Sequence, residues 1–295
     1  MRSSKATTYT CFSERAIAIA GSRRCLSRIC DNRSGWGKWT PHELVVPACF
    51  QGETKIGFGD EILAAGEAQR LFDEVGLKVA ITTLKDQLRW SSIWEGNPAI
   101  ATPNEVVAGA RVQYLRNGEN CRPYNANVPF TAKSGIKFTD WRARDHRGTL
   151  YLTERELRTG RELAQIGPYW LIEPSPVTGN PNKRWIFDRF EEIVRKPSPW
   201  FWMQAMHPDS RPLDHASQIE TVTFREACGL LASASGYLGT EGGLHHAAAA
   251  LGIPAVVIFG GCMSVETFGY PEHVNLTDDS PETPCGRWAP CLHCQ

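Results

Sequence analysis

Residues 239–261 read GTEGGLHHAAAALGIPAVVIFGG, and this stretch decides the fold. Two glycines free the backbone ahead of a helix of small residues, and Gly252 with Pro254 ends that helix. The apolar run at 255–259 is typical of a buried strand in a parallel sheet. A helix start carries unpaired N–H groups and the positive end of the helix dipole, which together favour a bound phosphate. The stretch therefore predicts an anion site at the edge of an α/β sheet.

Size and charge narrow the class of protein. The chain has 295 residues, enough for two modest domains, and its 42% hydrophobic and 10% aromatic content is typical of a globular protein. Its 32 Lys and Arg balance its 32 Asp and Glu, which argues against a nucleic-acid partner held by counterion release. No apolar run reaches the ~18 residues expected of a membrane-spanning helix.

The ten cysteines are expected to be reduced thiols in the cytoplasm, because the chain is large and shows no convincing signal peptide. Cys285, Cys291 and Cys294 are the exception, since they form C-x5-C-x2-C with His293 between the last two. Such ligands suit zinc. Only one C-x-x-C pair is present, so ordinary thiols are the preferred interpretation and structural zinc is the alternative.

Three regions are predicted along the chain. Residues 1–42 carry eight Lys and Arg against two acids and are predicted to be a disordered basic leader, with binding to a membrane surface as a weaker alternative. Residues 43–167 alternate short apolar runs with helical stretches and include a Thr-x-x-Glu capping box at 153–156. Residues 168–295 alternate strand and helix, which predicts a parallel sheet with helices on both faces.

Residues 57–72, GFGDEILAAGEAQRLF, place Asp60 where a turn leads into a helix. A carboxylate at such a turn can face a cleft and remove a proton from a hydroxyl group. It can equally cap the helix, because a short acidic side chain near the N-cap position satisfies exposed N–H groups. The pattern alone favours capping and leaves both interpretations open.

Residues 169–194 predict a short strand, a loop rich in Pro, Gly and Asn, and an amphipathic helix. Lys183 lies where the loop meets the helix, and Thr178 lies within the loop. A lysine at such a junction can stabilise the negative charge on a leaving diphosphate. Taken alone, Lys183 is more simply interpreted as an exposed residue near a helix start.

Together, the three segments resemble the heptosyltransferase family, glycosyltransferase family 9, which uses ADP-heptose to build the lipopolysaccharide core. The family pattern is Asp-Thr/Ser-Gly-x-x-His, then a small-residue helix and x-Pro, and this chain matches it with Glu241, Gly242, Gly243, His246 and Pro254. Glu241 replaces the family's Asp, so the acid reaches further. Gly242 replaces its hydroxyl residue, so a side-chain contact to phosphate is lost.

The resemblance implies an α/β, GT-B-like fold, with two Rossmann-like domains facing across a cleft and a shortened C-terminal domain. It implies that residues 43–167 bind the acceptor and residues 168–295 bind the donor. Asp60 would be the catalytic base, and Lys183 would stabilise the leaving diphosphate. The donor-binding residues that it implies are Thr178, Lys183, Glu241, Gly242, Gly243, Leu244 and His246. For Glu241, interaction with the helix dipole alone is the alternative.

The implied function is inverting transfer of a sugar from a nucleotide-sugar donor, ADP-heptose, to a hydroxyl group of a glycan or lipid-linked glycan. The expected place is the cytoplasm, at the inner face of the inner membrane, and no cofactor is required. One alternative is a transferase that uses another sugar nucleotide or a protein acceptor. The other is an inactive homologue that still binds a nucleotide-sugar, suggested by the end of the chain soon after the last motif.

His245 and His246 are adjacent, so on a helix their side chains leave the backbone about 100° apart. We therefore expect only His246, which matches the family position, to face a ligand. His245 is expected to pack in the interior or to face solvent. Zinc-binding pairs on helices are spaced i, i+4, so the sequence argues against a metal site at this pair.

Overall fold

A computed structural model describes the chain in these ranges: 24–27, 42–45, 57–83, 87–116, 147–174, 181–261, 263–281 and 283–285. Thr178, Cys291 and Cys294 lie outside them, so the predictions for those residues stay untested. Among the helices in these ranges, none combines the length and apolar composition of a membrane span.

The N-terminal half contains short strands and two longer helices. Its elements are β1 (Arg24–Ser27), β2 (His42–Val45), α1 (Phe58–Val75), β3 (Val79–Thr82), a 3₁₀ turn (Ser92–Trp94), α2 (Pro103–Val107), β4 (Gln113–Arg116) and α3 (Glu154–Ile166). β1 pairs with β2 antiparallel, so part of the leader that was expected to be disordered has strand backbone. β3 and β4 form a parallel pair.

The C-terminal half alternates strand and helix, as the sequence predicts. Its elements are β5 (Tyr169–Glu173), a 3₁₀ turn (Pro181–Lys183), α4 (Phe187–Val194), β6 (Phe201–Met206), β7 (Ser217–Glu220), α5 (Phe224–Leu231), β8 (Gly236–Thr240), α6 (Gly243–Leu251), β9 (Ala255–Ile258), α7 (Val265–Phe268) and β10 (Val274–Leu276). Helix α6 ends at Gly252 in the left-handed conformation, with φ of 71°, as the predicted glycine stop requires.

The six strands of this half form one parallel sheet in the order β10-β9-β8-β5-β6-β7. Numbered from β5, this is the Rossmann order 3-2-1-4-5-6. The order reverses between β5 and β8, which are direct neighbours with Glu173 opposite Gly239. Doubly wound sheets bind ligands outside the carboxyl ends of the strands at such a reversal. The topology therefore marks the ends of β5 and β8 as the place for a site.

Side chains alternate between the two faces of this sheet, and both faces are covered. One face packs against α5 and α6 and includes Leu171, Met203, Tyr237 and Val257. The other packs against α4 and includes Ile172, Trp202, Leu238 and Ile258. This arrangement confirms the predicted parallel sheet with a helical layer on each side.

The N-terminal half packs on the helical layer formed by α5 and α6. Ile62 of α1 and Leu244 of α6 belong to one hydrophobic cluster. Helices α3 and α5 approach closely because glycines face each other. A Cβ on Gly160 would lie 2.5 Å from the carbonyl oxygen of Gly229, and a Cβ on Gly229 would collide with the carbonyl of Glu156. The predicted capping box at the start of α3 is present.

A buried arginine joins the two halves. Arg225 of α5 lies with its Nε 2.5 Å from Oε1 of Glu156 on α3. Its guanidinium also donates to the carbonyl oxygens of Tyr151, at 2.7 Å, and Ser92, at 3.1 Å. The side chain is only 5% exposed, so its bonds to protein groups replace those it would make to water.

Candidate functional site

The candidate site begins where β8 leads into α6. Gly242, the N-cap residue of α6, has extended backbone and no capping side chain. The first amide groups of the helix, at Gly243 and Leu244, therefore have no cap from that residue. Their N–H groups and the positive end of the helix dipole favour an anion, and the phosphate expected here stays a prediction.

Lys183 and Glu241 form a buried ion pair across the reversal in strand order. Lys183 follows the loop after β5, and its Nζ lies 2.5 Å from Oε2 of Glu241, which follows β8. The two residues are 9% and 2% exposed. The prediction of an exposed lysine is therefore wrong, and Glu241 does more than interact with the helix dipole. The loop brings Lys183 back over the sheet, which sequence position alone does not specify.

His246 contacts the same carboxylate from α6. Its Nε2 lies 3.4 Å from Oε1 of Glu241, and its Nδ1 lies 2.9 Å from the hydroxyl group of Tyr270. Burial by itself raises the pKa of Glu241, but the charge of Lys183 and the contact with His246 outweigh the effect of burial and hold that pKa below its ordinary value. Glu241 is therefore ionised at neutral pH.

Asp60 lies in the first turn of α1, beside the first turn of α6. The N-cap of α1 is Gly57, so Asp60 is the third helical residue rather than the cap. Its neighbour Gly59 touches His246, since a Cβ there would lie 2.5 Å from Cδ2 of the imidazole. A Cβ on Gly243 would lie 3.7 Å from the amide nitrogen of Gly59. The structure therefore brings the half-buried Asp60 to the same edge as Lys183 and Glu241.

Of three comparisons with known proteins, the one with solved structures finds proteins similar to this chain. No family model matches the chain, and no curated protein matches it. The structure of a glycosyl transferase family 9 protein from Veillonella parvula DSM 2008 matches 80% of this chain and 92% of its own, at 13% identity and a TM-score of 0.52. The chain has the fold of a family 9 glycosyltransferase. The predicted α/β, GT-B-like fold is thereby confirmed.

Two further structures, both from E. coli, are similar to this chain with lower TM-scores. ADP-heptose lps heptosyltransferase II covers 44% of this chain and 45% of its own, at 18% identity and a TM-score of 0.36. The iron-containing dodecameric glycosyltransferase TibC, from enterotoxigenic strain H10407, covers 85% and 68%, at 15% identity and a TM-score of 0.42. The shortened C-terminal domain, the domain boundaries and the roles of the site residues stay predictions.

His245 packs in the interior, as one of the two expected positions has it, but its ring also lies close to that of His246. It is fully buried, and its ring stacks on that of His246 with centroids 4.9 Å apart and planes 30° apart. Nitrogen atoms of both rings and a carboxylate oxygen of Glu241 lie within 4.8 Å of one another. The expectation that the two rings cannot face one ligand is wrong, because rotation about the side-chain torsions compensates for the 100° between the Cα–Cβ bonds. Burial, followed by the proximity of His246, lowers the pKa of His245.

Glu173 and Tyr237 are site residues that the sequence analysis missed. Glu173 is the last residue of β5, and the hydroxyl group of Tyr237 on β8 donates to its Oε2 at 2.8 Å. Burial raises the pKa of the Glu173 carboxyl to about 7, and the hydrogen bond from Tyr237 only partly opposes this. An acid directly after the apolar residues 169–172 was the available signal, but the sequence does not show that this acid lies beside Tyr237.

We expect Glu173→Gln to flatten the dependence of stability on pH. Because the folded protein binds this proton more tightly than the unfolded chain, the free energy of unfolding falls as pH rises from about 4.3 toward 7. Gln keeps an acceptor for Tyr237 but cannot ionise. Urea unfolding between pH 5 and 8 measures the effect, with Glu192→Gln on the exposed face of α4 as the control. Equal pH dependence in wild type and Glu173→Gln would contradict the assignment.

Proposed function

We propose that this chain is a glycosyltransferase that takes a sugar from a nucleoside diphosphate sugar and transfers it to a hydroxyl group of an acceptor. One observation carries the proposal. The reversal between β5 and β8 puts Lys183, Glu241 and the start of α6 together at the carboxyl end of a Rossmann sheet. The family 9 fold agrees with this assignment.

The donor diphosphate would lie at the start of α6. The amide groups of Gly243 and Leu244 offer hydrogen bonds, and Lys183 offers a full positive charge. Gly242 leaves the backbone accessible where the family has a hydroxyl side chain. Because these groups are already positioned, they can stabilise the charge that develops on the diphosphate as it leaves, with little reorganisation.

The sugar of the donor would contact Glu241 and His246. Glu241 is ionised and held on both oxygens, by Lys183 and by His246. An ionised carboxylate in a low-dielectric site is a strong acceptor for sugar hydroxyl groups. Heptose is the proposed sugar and ADP the proposed nucleotide, because the segments that carry these residues resemble the heptosyltransferase motifs.

Asp60 would act as the general base. It removes the proton from the acceptor hydroxyl, and the resulting oxygen attacks the anomeric carbon as the bond to the diphosphate breaks. Attack from the face opposite the leaving group inverts the configuration. The proposed acceptor is a glycan or lipid-linked glycan, at the cytoplasmic side of the inner membrane.

Binding of nucleotides to wild type and Lys183→Met tests the donor site. We expect ADP at about 100 times its dissociation constant to add ~2.7 kcal/mol to the free energy of unfolding. Loss of a charge-assisted hydrogen bond, about 1.5–3 kcal/mol, predicts that Lys183→Met binds ADP roughly 10- to 100-fold more weakly. Urea unfolding with and without ADP measures the first effect, and calorimetric titration with ADP, UDP and GDP measures the second.

Two controls accompany that titration. Lys196→Met removes an exposed lysine after α4 and should leave ADP affinity unchanged. Lys183→Arg keeps a positive charge beside Glu241. It shows whether the loss of ADP affinity in Lys183→Met arises only because the buried Glu241 carboxylate is left without a charged partner. Preference for UDP or GDP would change the donor, and no affinity for any nucleotide would overturn the proposed function.

A further inference from the structure

The imidazole of His245 is buried without any hydrogen bond. It is fully inaccessible to solvent, and neither ring nitrogen has a hydrogen-bond partner within the described part of the chain. A neutral imidazole carries one N–H donor and one acceptor, so two polar atoms are left unsatisfied. Leaving such a group without a partner in the interior destabilises the folded protein. Rings of Phe259, Tyr270 and His273 surround it and offer no substitute. A buried imidazole nitrogen without a hydrogen-bond partner indicates that a ligand binds there.

Two further ligand atoms lie beside this imidazole. Oε1 of Glu241 and Nε2 of His246 are 3.4 Å apart, and a His245 nitrogen completes a group within 4.8 Å. Zinc bonds of about 2.0–2.1 Å in tetrahedral geometry separate ligand atoms by about 3.4 Å. One pair therefore already has the separation that such an ion requires, and the third ligand must approach by at most about 1.4 Å.

The remaining atoms of these residues have partners that suit metal binding. Metal-bound histidines usually hold their second ring nitrogen on a hydrogen-bond partner. Nδ1 of His246 has such a partner in the Tyr270 hydroxyl, and with its proton on Nδ1 the Nε2 lone pair is available. Glu241 can bind through Oε1 while Oε2 stays beside Lys183. Binding therefore does not require the ion pair to break.

We propose that Glu241, His245 and His246 bind a divalent first-row transition metal ion. Two imidazoles and one carboxylate form a donor set that suits Zn²⁺, Fe²⁺ or Co²⁺ rather than Mg²⁺ or Ca²⁺. When the ion is present, its two positive charges and the charge of Lys183 exceed the single negative charge of the Glu241 carboxylate. An anion beside the ion balances this excess, and, on the proposed function, this anion is the donor diphosphate.

The decisive experiment needs no donor or acceptor. Protein stripped with a chelator is titrated with Zn²⁺ by calorimetry and with Co²⁺ by absorption spectroscopy. We expect wild type to bind one equivalent of metal at this site. We expect His245→Phe to bind that metal with an affinity lower by at least tenfold. Co²⁺ bound to thiolates absorbs strongly in the near ultraviolet, so ions held by tail cysteines are distinguished from those at a nitrogen and oxygen site.

Matched variants keep the result interpretable. Phe fills the volume of the imidazole without its unsatisfied nitrogens, so metal-free His245→Phe should melt no lower than metal-free wild type. His215→Phe makes the same change at an exposed histidine and should bind metal normally. Tyr270→Phe retains all three ligands but removes the partner of His246, so it should weaken metal affinity about 10- to 100-fold.

The outcomes separate the metal site from the proposed function. Equal stoichiometry and equal affinity for the metal in wild type and His245→Phe would overturn the metal site, whatever the nucleotide results. One equivalent of metal at this site without affinity for any nucleotide would overturn the proposed function alone. If both hold, the bound ion should raise the affinity for ADP in wild type and not in His245→Phe.

Discussion

Replacing Asp60 by Asn should lower kcat about 10²- to 10⁴-fold while ADP still binds, because the amide cannot accept the acceptor proton. The position of Asp60 supports this separation of effects. It lies in the first turn of α1, whereas the proposed diphosphate position is at the start of α6. Transfer assays at saturating donor, together with ADP titration, measure the two properties independently.

Asp73→Asn is the matched control, since Asp73 lies on the same helix, is exposed, and accepts a hydrogen bond from Gln69 one turn earlier. Its kcat should equal that of wild type. If Asp60→Asn transferred sugar as fast as wild type, Asp60 would be only a first-turn acid that interacts with the helix dipole. Loss of ADP binding in Asp60→Asn would instead place the residue in the donor site.

Arg225→Met should lower the free energy of unfolding by about 3–5 kcal/mol, the usual cost of removing one partner of a buried ion pair. Methionine retains part of the apolar volume but leaves the Glu156 carboxylate without its charge partner. It also leaves the carbonyls of Tyr151 and Ser92 without the guanidinium donor. Urea unfolding at pH 7 measures the loss.

Arg161→Met provides the control for this change. Arg161 pairs with Glu154 on the same helix as Glu156, but these side chains are 53% and 80% exposed. Exposed pairs contribute only about 0–1 kcal/mol, so this variant should unfold near the wild-type urea concentration. Similar losses in both variants would show that the Arg225 network does not hold the N-terminal half on α5.

Local sequence patterns predicted several elements of both halves. The glycine that ends α6, the apolar strand after it and the capping box before α3 depend on residues a few positions apart, so each is visible in the sequence. The alternation of strand and helix then predicted the parallel sheet, because parallel neighbours need helical crossovers. The sequence motifs also singled out Asp60, Lys183, Glu241 and His246, which the structure brings to one edge.

Contacts between distant segments could not be predicted in this way. Whether Lys183 is exposed depends on the path of the loop after β5, so its position in the sequence, taken alone, indicated an exposed residue, and only the resemblance placed it in a site. The importance of Glu173 depends on Tyr237 lying opposite it on a strand more than sixty residues away. Burial and pairing across such distances set the pKa of an acid, and local pattern carries no information about either.

The sequence by itself determined the elements of this protein, the class of its sheet and the residues at its strand ends, because helix caps, turns and apolar periodicity are local. Only the tertiary structure decided which of those residues meet. It paired Lys183 with Glu241, and it brought ring nitrogens of His245 and His246 within 4.8 Å of a carboxylate oxygen of Glu241. The physical reason is that side-chain torsions and the packing of α1 and Tyr270 against α6, rather than helical spacing, fix where these imidazoles point.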